Sequence, residues 1–387
     1  MTAHPRLRVV VATRLFTPEV GAAAFRLQAL VDGLVAAGAD VSVVTTRAPG
    51  GATAGNVPFR ISRWPVLRDG GGNVRGYVQY LSFDVPAFFR LLLQRADVVV
   101  SEPPPTTGLM VALSSWLRRR PFVYYAADVW SEALSATDVP GFVISLMRRV
   151  EGFVLRRAAR VIAISDAVAE QVARFDVPAE RVQVVANGVD TSVFNPQGDA
   201  ADSDRPYFAY TGTISEWQGA DVFIRALPLV QRKYPTAEIR FFGQGTDEPA
   251  LRALADEVAP GSVVFGGVVP PREAAAWLRG AVAALVSIKP GQGYDFAKPT
   301  KIYAAAGCGA RVIFAGPGEG AAVVANNGLG DAVDHDPDAV AAAMIAALEE
   351  EDTGRGHRSQ WVGENASLAA AGQAAAAIVA SVGRTQP

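Results

Sequence analysis

Short runs of β-branched residues alternate along this chain with longer amphipathic stretches, and no other feature constrains the fold as strongly. Residues 7–13 read LRVVVAT, which is typical of a strand buried on both faces. Residues 25–37 then carry apolar side chains at helical spacing until Gly38 ends the pattern. The next strand follows at residues 41–45. This order predicts a parallel sheet with crossover helices.

The alternation continues through both halves of the chain and lapses once. Between Phe194 and Pro206 the sequence reads NPQGDAADSDR, which is too polar to bury apolar surface. We therefore predict a linker at residues 196–205, between an N-terminal lobe at 1–195 and a C-terminal lobe at 206–357. A chain of 387 residues also exceeds what one hydrophobic core supports. The expected fold class is α/β, with two doubly wound, Rossmann-like lobes and a cleft between them.

The other predicted strands are short runs rich in β-branched and aromatic residues. They are residues 97–100, 122–125, 161–164 and 182–185 in the first lobe, and 207–210, 239–242, 263–265, 283–286 and 312–314 in the second. Helices are predicted between the second-lobe strands at residues 220–234, 249–258, 273–279, 300–306 and 338–350. The Ala-rich tail at 358–387 predicts one C-terminal helix that packs back across the lobes.

Composition excludes several classes of protein. Lys and Arg total 36 against 38 for Asp and Glu, so the net charge of −2 gives no basic field for nucleic acid. One cysteine, Cys308, excludes an internal disulfide framework, and three histidines form no cluster at zinc spacing. The chain has neither the glycine pattern of nicotinamide dehydrogenases nor a P-loop. We expect no metal site and no bound cofactor.

The sequence also predicts where in the cell the protein is located. Residues 1–8 lead into the first strand without an apolar signal core, and no apolar stretch reaches the ~20 residues of a membrane-spanning helix. We therefore expect a cytoplasmic protein. The arginine-bearing apolar run at residues 142–160 is typical of a core-facing helix. A helix lying on the inner face of the membrane is the alternative, which would make the protein peripheral.

Candidate ligand residues of the first lobe lie in loops that follow strands, where open parallel sheets bind their ligands. Gly21 allows backbone to approach a substrate, and Arg26 suits an anion. Asp128 lies beside an aromatic residue and suits a hydrogen bond to a sugar hydroxyl. A helix-start turn, a structural arginine and a helix N-cap are the alternative interpretations of these three positions. For Ser165, after a later strand, we predict an N-cap.

Two glycine loops of the second lobe are expected at one sheet edge. Gly212 and Thr213 follow one predicted strand, and Gly243 and Gly245 follow another. Glycine in such loops lets backbone N–H groups face an anion, although turns after strands use glycine in any case.

A basic segment follows a third strand of the second lobe. Lys298 and Lys301 flank Pro299, which is well suited to begin a helix, so both lysines stand near a positive helix end. This arrangement predicts an anion site. The alternative is a solvated basic turn, because lysines are commonly just exposed.

The order of these motifs resembles retaining glycosyltransferase family 4, of the GT-B architecture, over nearly the whole chain. The matching motifs are Asn187-Gly-Val-Asp-xxx-Phe194, the strand end at Ser165, Gly243-x-Gly245 and Phe16-x-Pro-Glu-x-Gly21. Four segments are spelled most like the N-acetylfucosaminyltransferase-like branch of envelope polysaccharide synthesis. These are the segment from Phe16 to Arg26, Asp128-Val-Trp-Ser-Glu132, the segment from Gly212 to Gly219, and Pro299-Thr-Lys301-Ile-Tyr.

The resemblance implies that the C-terminal lobe holds a nucleotide-sugar donor, with a UDP-sugar favoured. The N-terminal lobe would hold a sugar, lipid-linked or small-molecule acceptor, and transfer would proceed with retention and without a metal. Asp128 would orient substrate hydroxyls, and Gly21 and Arg26 would contact the acceptor. The implied donor-binding residues are Gly212, Thr213, Gln218, Gly243, Gly245, Lys298, Lys301 and Glu319.

The sequence departs from the family pattern at its donor motif. The two glutamates of that motif fall on Phe296 and Ala304, and the usual Arg and Lys of an earlier loop are Thr213 and Gln218. Asp295 and Glu319 are the nearest carboxylates that could replace the missing ribose contact, and Glu319 is our candidate. A catalytically altered GT-B protein is therefore one alternative function. A nucleotide-sugar epimerase is another, although it would need acids, bases and histidine for proton transfer.

Overall fold

The computed structural model describes residues 6–19, 22–49, 57–69, 74, 76–131, 141–292, 294–295 and 297–384. The chain divides into two compact units, of which unit 1 comprises Met1–Asn187 and Leu368–Pro387 and unit 2 comprises Gly188–Ser367. Each unit contains one fully parallel sheet with crossover helices. The predicted α/β class, with two Rossmann-like lobes, is confirmed.

Unit 1 is built on a seven-stranded sheet in the order β3-β2-β1-β4-β5-β6-β7. The strands are β1 Arg8–Ala12, β2 Asp40–Thr46, β3 Arg60–Trp64, β4 Val98–Ser101, β5 Phe122–Ala126, β6 Arg160–Ala163 and β7 Val182–Val184. The helices before the crossing into unit 2 are α1 Ala22–Ala36, α2 Tyr77–Leu93, α3 Pro105–Leu117, α4 Gly141–Arg157 and α5 Asp166–Ala173. One core lies between the sheet and α2, α3 and α4, and a second lies on the α1 side.

Unit 2 is built on a six-stranded sheet in the order β10-β9-β8-β11-β12-β13. The strands are β8 Tyr207–Thr211, β9 Glu238–Phe242, β10 Val263–Gly267, β11 Ala283–Ser287, β12 Val312–Ala315 and β13 Gly330–Val333. The helices are α6 Asp221–Gln231, α7 Glu248–Val258, α8 Pro271–Gly280, α9 Thr300–Gly307, α10 Glu319–Asn326, α11 Pro337–Glu349 and α12 Arg355–Asn365. Every strand predicted from the sequence is present to within two residues, and β3 and β13 are additional.

The boundary between the units lies at Asn187 and Gly188, before the predicted linker at residues 196–205. The polar stretch is held on unit 2, because Arg279 donates to the backbone oxygens of Asn195 and Asp199 at 3.1 and 2.9 Å. The backbone N–H of Ala201 donates to a carbonyl of α8 at 2.9 Å. The segment is attached to unit 2 through its backbone, which the sequence does not distinguish from a free linker.

The predicted single tail helix is two helices. The first, α12, packs on α9 in unit 2, and the second, α13 at Leu368–Arg384, packs on α1 in unit 1. The break falls at Ala366, whose φ is −137°, and at Ser367, whose hydroxyl donates to the Gly363 carbonyl at 2.8 Å. The prediction was wrong at this point because alanine and serine carry no strong helix-stop signal.

The contact between α1 and α13 requires glycine. A Cβ at Gly372 would lie 2.2 Å from the Ala29 carbonyl oxygen, which belongs to backbone and cannot rotate away. We expect Gly372→Ala to lower the free energy of unfolding by about 1–3 kcal/mol, as overpacking does. Gly363→Ala is the matched control, because a Cβ there meets nothing within 4 Å. It should instead raise stability by up to about 1 kcal/mol. Urea unfolding of both variants checks the pair, and equal effects would contradict the close packing.

Two local expectations from the sequence are confirmed. Ser165 caps α5, since its hydroxyl oxygen accepts from the Val168 N–H at 3.2 Å. The run at residues 142–160 forms α4, whose second half packs into the unit 1 core through Val154 and Leu155. Within the described residues, no helix is both long enough and apolar enough to cross a membrane.

Candidate functional site

The loops after β8 and β9 of unit 2 lie in direct backbone contact. Gly243 has a φ of +147°, and a Cβ there would lie 1.8 Å from the Gly212 carbonyl oxygen. A Cβ at Gly245 would lie equally close, at 1.8 Å, to the carbonyl oxygen of Ile214. The Gly212 N–H donates to Phe242 at 2.8 Å. The two predicted glycine loops therefore form one structure at the carboxyl edge of the sheet, and only glycine fits at these positions.

The loops after β11 and β12 are joined in the same way. A Cβ at Gly316 would lie 2.1 Å from the Ile288 carbonyl oxygen, and one at Gly318 would lie 1.8 Å from that of Asp295. The Glu319 N–H donates to the same Asp295 oxygen at 3.0 Å. Four loops of unit 2 thus form two tightly packed pairs at the sheet edge where open parallel sheets bind ligands.

Lys301 extends from the first turn of α9 to the loop after β8. Its ammonium donates to the hydroxyl of Tyr210 at 2.7 Å and to the Thr213 carbonyl at 3.1 Å. It also lies 3.9 Å from the centroid of the Tyr210 ring, which favours a cation. Burial lowers the pKa of Lys301 to about 7. A Cβ at Gly212 would lie 3.6 Å from the Lys301 Cε, so the structure brings Lys301, Gly212 and Thr213 together.

Gln218 holds the loop after β8 in its conformation by hydrogen bonds. Its side-chain oxygen accepts from the Tyr210 hydroxyl at 2.9 Å and from the Ser215 N–H at 3.1 Å, and the residue is buried. The second bond belongs to a capping box on the short helix Glu216–Gln218. Gln218 therefore positions Tyr210, and through it Lys301.

The other predicted donor residues are placed on α9, on α10 and just before α9. Lys298 forms an ion pair with Glu319 at 3.2 Å, and Glu319 is the first residue of α10. A phosphate ligand and a ribose ligand predicted from the sequence are thus each other's partners in this structure. Ala304 lies one turn after Lys301 on α9, on the same helix face. Phe296 lies outside the described residues.

Sequence reasoning missed two side chains at this site. Tyr210 contacts both Lys301 and Gln218, but in a strand its aromatic ring suggests only core packing. His335 donates from Nε2 to the Gly219 carbonyl at 2.8 Å, from a loop 116 residues further along the chain. No local sequence pattern indicates either contact, because both depend on the order of strands in the sheet.

Unit 1 contains a charged cavity of about 320 Å³ at the carboxyl edge of its sheet. Its lining combines three arginines, three carboxylates and two aromatic rings, namely Arg14, Arg26, Arg68, Glu19, Glu102, Asp128, Tyr80 and Trp130. The structure therefore brings the predicted residues Asp128 and Arg26 to one cavity. Gly21, the third predicted residue of this lobe, lies outside the described residues.

Most of these charges are paired. Arg26 bonds to Glu102 at 3.1 Å, and both residues are buried. The Thr13 hydroxyl donates to the other oxygen of Glu102 at 2.5 Å. Burial raises the pKa of Glu102, and the charge of Arg26 acts in the opposite direction. Arg68 bonds to Glu19 at 2.9 Å.

Asp128 follows β5 and is exposed at the cavity wall. Partial burial raises its pKa, while the charges of Arg26 and Arg14 lower it. The residues that follow Asp128 are held by hydrogen bonds. The N–H groups of Trp130 and Ser131 donate to the buried Glu151 at 2.8 and 2.9 Å. Asp128 therefore stands on a rigid loop without a carboxylate-to-arginine bond of its own among the described residues. Such a group is available to a ligand hydroxyl.

Two family models match the chain in sequence order. Residues 21–188 match "Glycosyl transferase 4-like domain", and residues 205–350 match "Glycosyl transferases group 1". A D-inositol 3-phosphate glycosyltransferase from Frankia alni is 29% identical over 238 residues. That match covers 52% of this chain and 57% of the relative, so it spans little more than half the relative's length.

Solved structures share the fold over almost the whole chain. Sucrose-phosphate synthase from Thermosynechococcus elongatus has a TM-score of 0.64 at 17% identity, covering 98% of this chain and 100% of that one. Anabaena HepE in complex with UDP-glucose has a TM-score of 0.61 at 16% identity, covering 97% and 100%. With the two family matches and this shared architecture, the chain belongs to the glycosyltransferases of the GT-B fold.

Proposed function

We propose that this protein is a retaining, metal-independent glycosyltransferase that moves a sugar from a UDP-sugar to an acceptor hydroxyl. The observation that carries the proposal is the partly buried Lys301 ammonium beside Gly212 at the start of α9. The family matches support sugar transfer, and the binding of UDP-glucose by Anabaena HepE supports the donor class. The proposed acceptor is an envelope glycan, a lipid-linked saccharide or a natural product.

Unit 2 would bind the donor by its diphosphate. Lys301, the backbone N–H groups of the Gly212 loop and the first turn of α9 would neutralise the negative charge that develops on the departing diphosphate. Tyr210 and the Thr213 carbonyl hold the ammonium in place before substrate arrives. Such preorganisation, together with substrate positioning, accounts for most of the rate in transfers of this kind.

Unit 1 would bind the acceptor in its charged cavity. Asp128 would accept a hydrogen bond from a hydroxyl of the substrate and so fix its orientation towards the anomeric carbon. Arg26 would support this cavity by holding the buried Glu102 and would not contact the substrate directly, because Glu102 occupies its hydrogen-bonding edge. In a retaining transfer the acceptor hydroxyl attacks the face from which the diphosphate leaves.

A thermal-shift screen with UDP, GDP, dTDP and ADP tests the proposal. A nucleotide at 100-fold its Kd should stabilise the protein by about 2.7 kcal/mol, and UDP is expected to give the largest shift. Incubation of UDP-sugars with candidate acceptors, with the anomeric configuration of the product read by NMR, then tests transfer and retention. A protein that binds no nucleotide or sugar nucleotide would instead be a catalytically altered member of the family.

Ala304 gives a sharper test of how the donor ribose is held. Because no carboxylate stands at this position, we expect the parent to discriminate little between UDP and 2′-deoxy-UDP. Ala304→Glu should strengthen UDP binding by about 10- to 150-fold, since a hydrogen bond to a charged group contributes about 1.5–3 kcal/mol. The affinity for the deoxy analogue should not rise. Isothermal titration calorimetry measures both.

Ala304→Gln is the control for added size without charge, and it should gain less than Ala304→Glu. A parent that already binds UDP tightly and rejects the deoxy analogue would contradict the prediction. It would show that another group holds the ribose, and loss of that discrimination in Glu319→Ala would identify the group as Glu319.

A further inference from the structure

The charged cavity of unit 1 offers a ligand one cation and one carboxylate that are not bonded to each other. Two of its three arginines form the ion pairs described above. The third, Arg14, donates only to backbone carbonyls within the described ranges. Asp128, on the opposite wall, has no arginine partner there either. Once the two ion pairs are set aside, Arg14 and Asp128 are the charged groups that a ligand meets.

The guanidinium of Arg14 is held in a fixed position. Its two terminal nitrogens donate to the carbonyl oxygens of Val74 and Pro103, at 2.9 and 3.4 Å. Its central carbon lies 4.1 Å from the centroid of the Tyr80 ring, which favours a cation. Each terminal nitrogen carries two hydrogens, and each of these bonds uses one of them. Arg14 therefore keeps its charge and has hydrogens left for a ligand.

Three carboxylates lie within the field of Arg14 without bonding to it. Burial raises the pKa of Asp84, Glu102 and Asp128, and the charge of Arg14 acts on each in the opposite direction. Asp84 and Glu102 are buried and are hydrogen-bonded to other side chains. They stabilise the charge of Arg14 and leave its remaining hydrogens unoccupied. Asp128 is the one of the three that is exposed.

The size of the cavity limits the ligand that can reach both groups. Arg14 follows β1 and Asp128 follows β5, with β4 between these strands, so their loops are separated by two strand spacings, or about 10 Å. The rings of Tyr80 and Trp130 meet edge to face at 5.4 Å and line the same cavity. Its volume of about 320 Å³ is at the low end for ligand pockets. The ligand must therefore carry its anionic group and its hydroxyl on one small unit.

We infer that Arg14 selects an acceptor sugar that carries an anionic group, a phosphate or a carboxylate. The anionic oxygens accept the remaining hydrogens of Arg14 in charge-assisted hydrogen bonds, while Asp128 accepts from a hydroxyl of the same sugar. Asp128 repels the anionic group, so the sugar binds in one orientation. A neutral sugar would leave the charge of Arg14 unused. The inference rests on the proposed function for the acceptor role of unit 1 and adds the charge of the acceptor to it.

Calorimetric titration of the full chain, with UDP present to occupy the donor site, tests this inference. The probes are the 1-phosphates of glucose, galactose, mannose and N-acetylglucosamine, methyl glucuronide, and the neutral methyl glycoside of each sugar. We expect at least one anionic probe to bind about 10- to 150-fold more tightly than its neutral counterpart. Preference for a 1-phosphate identifies the group as phosphate, and preference for the glucuronide identifies it as carboxylate. Arg14→Met should abolish the preference and leave the affinities for UDP and for the methyl glycosides unchanged.

Two further variants complete the test. Arg14→Lys keeps the charge without the planar pair of nitrogens and should retain part of the preference. Arg205→Met removes an exposed arginine of unit 2 and should retain all of it. Equal affinities for the anionic and neutral probes of every sugar, or a preference that survives in Arg14→Met, would overturn the inference even if UDP binds and sugar is transferred. Failure to bind UDP would instead reject the proposed function, and titrations without UDP would still decide the role of Arg14.

Discussion

Glu102→Ala is expected to lower the free energy of unfolding by about 3–5 kcal/mol, because it leaves the guanidinium of Arg26 buried without its partner. Glu102 and Arg26 are each 5% exposed, and the carboxylate also accepts from Thr13. No second carboxylate among the described residues bonds to Arg26 in its place. Urea unfolding, followed by a probe in unit 1, measures the loss.

Asp40→Ala is the matched control on the same sheet. Asp40 pairs with Arg60 at 2.7 Å, but the two side chains are 42% and 73% exposed. An exposed pair contributes about 0–1 kcal/mol, so the control should unfold almost as the parent does. If Glu102→Ala cost no more than Asp40→Ala, the pair in the cavity would be solvated and Arg26 would be free to bind an acceptor directly.

Lys301→Ala is expected to weaken UDP binding about 10- to 150-fold. A charge-assisted hydrogen bond to phosphate contributes about 1.5–3 kcal/mol, and the loops of unit 2 place this ammonium at their junction. Isothermal titration calorimetry measures the change. Lys233→Ala removes the same charge from a surface ion pair with Glu349 and should leave UDP affinity unchanged. An unchanged affinity in Lys301→Ala would reject the proposed diphosphate site.

We also expect the affinity for UDP to decrease as the pH rises above 7. Burial lowers the pKa of Lys301 to about 7, so the free protein loses this charge as the pH rises through 7. A bound diphosphate favours the ammonium and raises its pKa again, so binding at pH 8 should take up a proton. UDP affinity should therefore fall above pH 7 in the parent and not in Lys301→Met. Titrations in buffers of different ionisation enthalpy measure the proton uptake directly.

The central strands could be predicted because their residues are apolar and buried in a continuous run. Residues 9–11 and 98–100 are valines with almost no exposure, because they lie in central strands covered on both faces. The two strands that were missed, β3 and β13, lie at sheet edges and are only partly buried. Their sequences, RISRW and GDAV, contain no continuous apolar run, because these edge strands are only partly buried.

The sequence predicted which loops form the candidate site, but it did not predict most of the side-chain contacts within it. Parallel strands place their following loops at one edge, which is why the sequence alone predicts that Gly212 and Lys301 lie close together. Their intermediary, Tyr210, could not be predicted, since its bond to Lys301 spans 91 residues of chain. Arg26 was predicted as an anion ligand, and the anion that it holds is Glu102, 76 residues further on. Pairings over such distances depend on strand order, which periodicity does not give.

The return of the chain from unit 2 to unit 1 sets an order of events during synthesis. Unit 2 is an uninterrupted segment, whereas unit 1 needs the 17 residues of α13, which are made after unit 2 and pack on α1. On the ribosome the half that emerges first is therefore the half that finishes folding second. Until α13 is made, α1 lacks the helix that packs on it at Ala29 and Gly33. The nascent chain carries this uncovered face of α1 through the whole synthesis of unit 2, and a stop codon before Leu368 would make it permanent.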